Sequence, residues 1–213
     1  GYFEVTALSR DDLSRNEMYK ANLKRQNQEA SFTDYHDYLL SLKMKAEILP
    51  FSPMYMARIA QLTNKSNQFN LTTLRCSQAD IEQYASDPSY ITLYGKLEDC
   101  FGDNGVVSVV FGHVDSADSA LFHIDLWLMS CRVLKRNMEF AMMDSLAAAC
   151  IKHGIRTIRG YYYPTAKNKM VKDFYSLLGF SRISEDPDGN SVWEFSLEEG
   201  YTQKNDVIQV NPD

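Results

Sequence analysis

Apolar positions along this chain switch repeatedly between a period near 3.6 and a period of 2. Residues 33–42 carry a helical stripe of Tyr35, Tyr38, Leu39 and Leu42 after the start signals Ser31 and Thr33. Residues 43–49 alternate as a strand, and Pro50 and Pro53 separate them from a helix running through Met56, Ile59, Ala60 and Leu62. A short helix is expected over 80–85, before Pro88. Strands at 90–97 and 105–113 follow, joined by a Phe101-Gly102-Asp103-Asn104-Gly105 turn with Asn-Gly chemistry. A strand over 120–130 leads into a helix that reaches His153 and stops at Gly154. Another strand spans 157–163. The next helix starts at Asn168, an N-cap type, carries Met170, Val171, Phe174, Leu177 and Leu178 on one face, and ends at Gly179. Strands at 180–184 and 192–197 complete the order, which predicts an α/β fold with a mixed central sheet covered by helices on both faces.

The two ends read differently. Residues 8–28 form a polar helix pattern with few apolar anchors, typical of a connector, and the apolar residues 2–8 resemble the end of an upstream unit. We therefore divide the chain into a linker over 1–30, one domain over 31–198 and a C-terminal tail over 199–213. A hydrophobic fraction of 45% with 13 Tyr and 11 Phe argues against disorder. No apolar run reaches membrane-spanning length and no leader pattern is present, so the expectation is a cytoplasmic protein with no membrane partner. Cys76, Cys100, Cys131 and Cys150 are scattered without C-x-x-C spacing, which supports neither a disulfide framework nor a metal site.

A net charge of -6 speaks against a nucleic-acid partner, but its distribution is uneven. Residues 131–172 hold nine basic and two acidic side chains, so an island of +7 sits in a remainder of -13. Such an island collects phosphorylated ligands or acidic proteins, or is a set of solvated helix faces.

Candidate chemistry concentrates on the strand over 120–130. Alternation places Phe122, Ile124, Leu126 and Leu128 on one face and His123, Asp125 and Trp127 on the other. A buried His and Asp either bond each other across one residue or supply a general base. Cys131 lies between this strand and the next helix, beside Arg132, as a candidate acyl-carrying nucleophile or a small buried hydrophobe. Asn64, Asn67, Gln68 and Asn70 form an amide-rich helix end suited to a polar acyl group, or simply to a turn.

The stretch Asn168-Lys169-Met170-Val171-Lys172-Asp173-Phe174-Tyr175-Ser176-Leu177-Leu178-Gly179-Phe180 resembles the GNAT acyltransferase pattern N-x-x-A-x-x-F-Y-x-x-L-G-F. The resemblance implies that pantetheine enters at Asn168 and that Tyr175 donates a proton to the departing thiolate. It also implies an R/Q-x-x-G-x-G/A turn after the strand at 120–130, yet the equivalent stretch Leu134-Lys135-Arg136-Asn137-Met138-Glu139 has no Gly and puts Glu139 where phosphate would sit. The expected cofactor is CoA or, with less need of that turn, a carrier-bound phosphopantetheine arm beside Val133 and Asn168, with Arg132, Arg136 and the backbone at Asn137 near its phosphate. Four longer segments, residues 61–73, 101–105, 125–133 and 160–168, resemble the C-terminal part of FkbH-like proteins, in which a HAD-type phosphatase domain of subfamily IIIC is fused to a GNAT-like domain. That resemblance implies glyceryl transfer to an acyl carrier protein in polyketide-type biosynthesis, with Asn67 and Asn70 holding the acyl group, or a non-catalytic domain that docks the carrier for the upstream phosphatase. The only look-alike of the phosphatase motif, Asp186-Pro187-Asp188-Gly189-Asn190, carries hairpin-turn chemistry, so no metal is expected in this fragment.

Overall fold

The computed structural model describes residues 4–213, with side chains from residue 12 onward. The reading of residues 2–8 as the end of an upstream unit lies outside the described side chains. Chain order is α1 (Glu4–Ala30), α2 (Tyr35–Ser41), β1 (Met44–Leu49), α3 (Met56–Lys65), α4 (Gln78–Ser86), β2 (Tyr90–Asp99), β3 (Gly102–Val114), β4 (Leu121–Met129), α5 (Met138–Lys152), β5 (Thr157–Tyr162), α6 (Phe174–Leu177), β6 (Ser181–Glu185), β7 (Ser191–Ser196) and β8 (Ile208–Val210). The strands form one mixed sheet in the order β6-β7-β5-β4-β3-β2-β1-β8, antiparallel except at β4/β5 and β1/β8.

Two cores cover the sheet. On one face α2 and α5 bury Leu39, Leu42, Met138, Met142, Leu146 and Cys150 against residues of every long strand. On the other, α3 and α4 bury Ile59, Leu62 and Ile81 against Tyr94, Val109, Phe111, Leu126 and Leu128. α4 begins with a capping box in which Ser77 and Asp80 satisfy each other's backbone N–H. Among the described residues no helix is long and apolar enough to cross a membrane.

Three elements differ from the sequence pattern. The turn between β2 and β3 is tighter than the five-residue hairpin expected, because Asp99 accepts from the N–H groups of Phe101 and Gly102 and lets the strands pair up to Asp99 and Gly102. Residues 168–178 do not form one helix but a 3-10 turn at Lys169–Val171 followed by the single turn of α6. The C-terminal segment read as a tail adds β8 in parallel to β1, and its Tyr201 and Asn205 both bond Asp144 of α5.

Asp99 also ties the N-terminal helix to the domain. Its fully buried carboxylate takes two bonds from Arg25 of α1, at 2.6 and 2.8 Å, and a longer one from Arg136 at 3.4 Å. Removing one member of a buried ion pair leaves an uncompensated charge, at a cost of about 3–5 kcal/mol. Asp99→Ala should therefore lower unfolding free energy by about that much in urea denaturation. A loss comparable to that of a surface ion pair would show that α1 is not held by this cluster.

Candidate functional site

The chemistry gathers where β4 is irregular. Phe111 faces Leu126 and Gly112 faces Ile124, so Asp125 is one residue too many and β4 bulges there. Gly112 permits the bulge, since a Cβ at that position would lie 1.8 Å from the carbonyl oxygen of His123. The bulge breaks the uninterrupted alternation expected for this strand. Phe122, Ile124 and Trp127 belong to the α5-side core, whereas Leu126 and Leu128 belong to the α3-side core.

His123 and Asp125 do not bond each other, the arrangement that spacing alone made available. Asp125 accepts from His113 of β3, with Nδ1 2.8 Å from Oδ2 and 3.0 Å from Oδ1. His123 places Nε2 2.8 Å from Asp115 and Nδ1 2.7 Å from the Tyr161 hydroxyl, and its ring stacks on His113 at 4.9 Å. Both nitrogens of His123 are engaged, while Nε2 of His113 has no partner among the described residues. Burial raises the Asp125 carboxyl above the ordinary carboxylate range, and the His113 contact partly opposes it. This pair lines a cavity of about 600 Å³ that Thr72, Tyr84, Tyr90 and Tyr163 complete. His113 was missed from the sequence because its role depends on the register between β3 and β4, which the bulge sets.

Beyond the bulge, β4 and β5 part. They pair only from Leu121 with Thr157 to His123 with Arg159. The opening is filled by residues 69–71 of the chain itself. Leu71 N–H donates to Trp127 O, Met129 N–H to Phe69 O and Tyr163 N–H to Leu71 O, at 2.9–3.1 Å. Asn70 and Leu71 are fully buried. Asn168, expected as an N-cap, caps nothing: its Oδ1 accepts from Thr165 N–H, and its Nδ2 donates to the carbonyls of Asn70 and Tyr163. The Asn70 side chain bonds Ser66 O and Thr73 N–H, so it is spent on the loop and does not face an acyl ligand. Asn67 is half-buried and accepts from Arg75.

Tyr175 lies in the interior, 1% exposed, with its ring against Trp127, Phe174 and Phe180 and over Gly160, where a Cβ would meet the ring at 2.5 Å. It does not line the His113–Asp125 cavity, and burial pushes its hydroxyl pKa up.

The turn after β4 keeps an unusual backbone. Lys135 and Asn137 both have φ of +64°, and Asn137 stands at the first glycine position of R/Q-x-x-G-x-G/A. Arg136, expected at the surface near phosphate, is 8% exposed instead, bonded to Asp99 and to the carbonyl of Arg132. Tyr35 of α2 donates to the Lys135 carbonyl and covers the turn. The Glu139 carboxylate folds back onto its own N–H at the start of α5, with Oε2 buried and unpartnered, and burial raises its pKa. Val133 is fully buried. Cys131 and Arg132 are exposed, and Cys131 Sγ donates to Gln68 Oε1 at 3.2 Å. Among the described residues no cluster of His, Cys, Asp or Glu could hold a metal ion.

No family model and no curated protein matches the sequence. Solved structures do. The GNAT domain of S. lividans PAT superposes with a TM-score of 0.53 at 17% identity, over 70% of this chain and 89% of that one. YncA of Salmonella typhimurium, a putative acetyltransferase solved with acetyl-CoA, gives 0.54 at 10% identity, over 76% and 98%. The aminoglycoside acetyltransferase AAC(6')-Ib in complex with coenzyme A gives 0.51 at 16%, over 71% and 95%. The chain has the GNAT fold.

Two of these neighbours hold CoA or its acetyl ester, and the residues here do not fit an arm laid beside Val133 and Asn168. Residues 69–71 already take Trp127 O and the Met129 N–H of β4, Asn168 is committed to that segment, and the Glu139 carboxylate occupies the start of α5. Asn168→Ala should strand the carbonyls of Asn70 and Tyr163 and cost about 2–4 kcal/mol. Hydrogen exchange should then quicken at the amides of Leu71, Met129 and Tyr163 more than elsewhere in the sheet. Uniform quickening would show that Asn168 supports the whole fold and not this segment.

Proposed function

We propose that this domain transfers an acyl group to the phosphopantetheine thiol of an acyl carrier protein, with the thiol as acceptor and with a donor other than a CoA thioester lying along β4. The observation that carries this reading is the His113–Asp125 pair on an open cavity at the β4 bulge. Asp125 accepting from Nδ1–H leaves the lone pair of His113 on Nε2, the arrangement of a general base. Nε2 would take the proton of the incoming thiol as sulfur attacks the acyl carbonyl, and the donor's leaving group would depart with the electron pair. His123, fixed by Asp115 and Tyr161, would hold the His113 ring by stacking. The FkbH-like resemblance makes glyceryl the acyl group, a polyketide-type pathway the setting, and a HAD phosphatase domain the neighbour upstream. Arg132, Lys135, Lys167 and Lys169 are exposed and suit an acidic carrier, whereas Arg136 is removed from that surface by Asp99.

A second reading, in which the domain only docks the carrier, is favoured by the segment filling the opening between β4 and β5. Mass spectrometry of holo-carrier incubated with the protein and a soluble glyceryl thioester separates the two. His113→Gln and Asp125→Asn should each slow carrier loading by about 10²–10⁴-fold, the usual worth of a general base. Loading that is absent from the unaltered protein, with carrier still bound, supports docking; loading indifferent to both substitutions removes the base assigned here.

Docking by the exposed cations should weaken as salt screens them, over about 8 Å at physiological ionic strength. Lys135→Glu with Lys169→Glu should slow carrier association more than dissociation in stopped-flow measurements, and binding unaffected by salt and by both changes would exclude an electrostatic interface.

A further inference from the structure

A second cavity lies at the far end of β4, outside the His113–Asp125 site. It is a groove of about 860 Å³ between α3, residues 66–69 and the end of β4, and Arg58, Lys65, Arg132 and Lys167 line it without a single acidic residue. In a chain of net charge -6 that is an unusual gathering. Among the described residues none of the four cations pairs with a carboxylate. Arg58 bonds only the side-chain oxygen of Gln61, and Arg132 only Ser130 and the sulfur of Met18. Arg132 also borders the hollow under α1, which Glu17 shares, but no ion pair forms there. Burial and repulsion from Arg132 lower the Arg58 pKa, so the two guanidinium groups face each other's field uncompensated. Asn67 and Gln68 add amides, and Ser66 and Ser130 lie on the same wall. Like charges held together without counter-charge raise the local potential and concentrate anions.

We propose that this groove binds a phosphate monoester, with Lys65, Lys167, Arg58 and Arg132 engaging the dianion and Asn67 and Gln68 holding the polar group attached to it. The groove is built by α3 and the loop after it, not by the turn over residues 133–137, whose Arg136 and α5 start are satisfied internally. Phosphate binding stands without the acyl-transfer reading, and only the naming of its source rests on that reading. Two sources share this chemistry: a small phosphorylated acyl donor, and the phosphate at the root of a carrier's pantetheine arm.

Cys131 provides a reporter, because its thiol lies in the groove wall and is exposed, while Cys100 is exposed elsewhere. The rate of iodoacetamide alkylation at each cysteine would be followed by peptide mass spectrometry on the unaltered chain, with inorganic phosphate, glycerol 3-phosphate or S-methyl-4′-phosphopantetheine added. Each phosphate compound should slow Cys131 saturably and leave Cys100 unchanged. Lys65→Gln with Lys167→Gln, both exposed and outside the His113 cavity, should raise the concentration required by about tenfold or more, the worth of a lost charge-assisted hydrogen bond. Circular dichroism would establish that this variant is folded. Stronger protection by glycerol 3-phosphate would identify a small donor, and stronger protection by the pantetheine compound the carrier arm. Equal slowing of both cysteines, protection unchanged in the double variant, or equal protection by S-methyl pantetheine lacking phosphate would each overturn the proposal.

Discussion

The parting of β4 from β5 is the constraint to which the rest of this domain responds. Two parallel strands that separate in the middle of a sheet leave inward-facing N–H and C=O groups that water cannot reach, and each must find a partner. Here the partner is a segment of the same chain that lies far away in sequence. Residues 69–71 cross the opening as a short strand-like segment, and Asn168 closes the remaining valences with both its amide hydrogens and its oxygen. The same segment separates two cavities of opposite character, one lined by histidine, aspartate and tyrosine, the other by lysine and arginine.

Anionic positions that could serve a ligand near α5 are instead satisfied from within. Glu139 supplies the negative charge at the helix start, and Asp99 gathers Arg25 and Arg136 into one buried cluster that joins α1, the β2–β3 turn and the turn after β4. A carboxylate at a helix N-terminus interacts favourably with the helix dipole, a gain that burial and the unpartnered Oε2 oppose here. The reactive groups left facing solvent are those on the other side of the bulge and those along α3.

The order of strands and helices was legible in the sequence because it follows from periodicity and turn residues: Gly154 and Gly179 end helices as expected, and the Asp186–Asn190 stretch is the hairpin turn its chemistry indicated. Asp125 was legible as a chemical position, since a carboxylate in a central strand is costly without a partner. Its partner was not, because His113 reaches it only through a register shift at Gly112 that period-two counting cannot reveal. Asn168 and Arg136 carried the right residue types for ligand contacts, yet tertiary competitors, the carbonyls of Asn70 and Tyr163 and the carboxylate of Asp99, captured both. Local sequence has no record of a competitor that is distant along the chain.

The bond from Asn168 to the carbonyl of Asn70 joins residues 98 apart. A contact of that separation rewards the chain only after most of the intervening polypeptide has been ordered, so its loop-closure cost falls early and its gain late. The helices and the β2–β3 hairpin, built from near neighbours, need no such wait. On this reasoning the seam between β4 and β5 is expected to close after those local elements have formed, and the walls of both cavities to take shape with it.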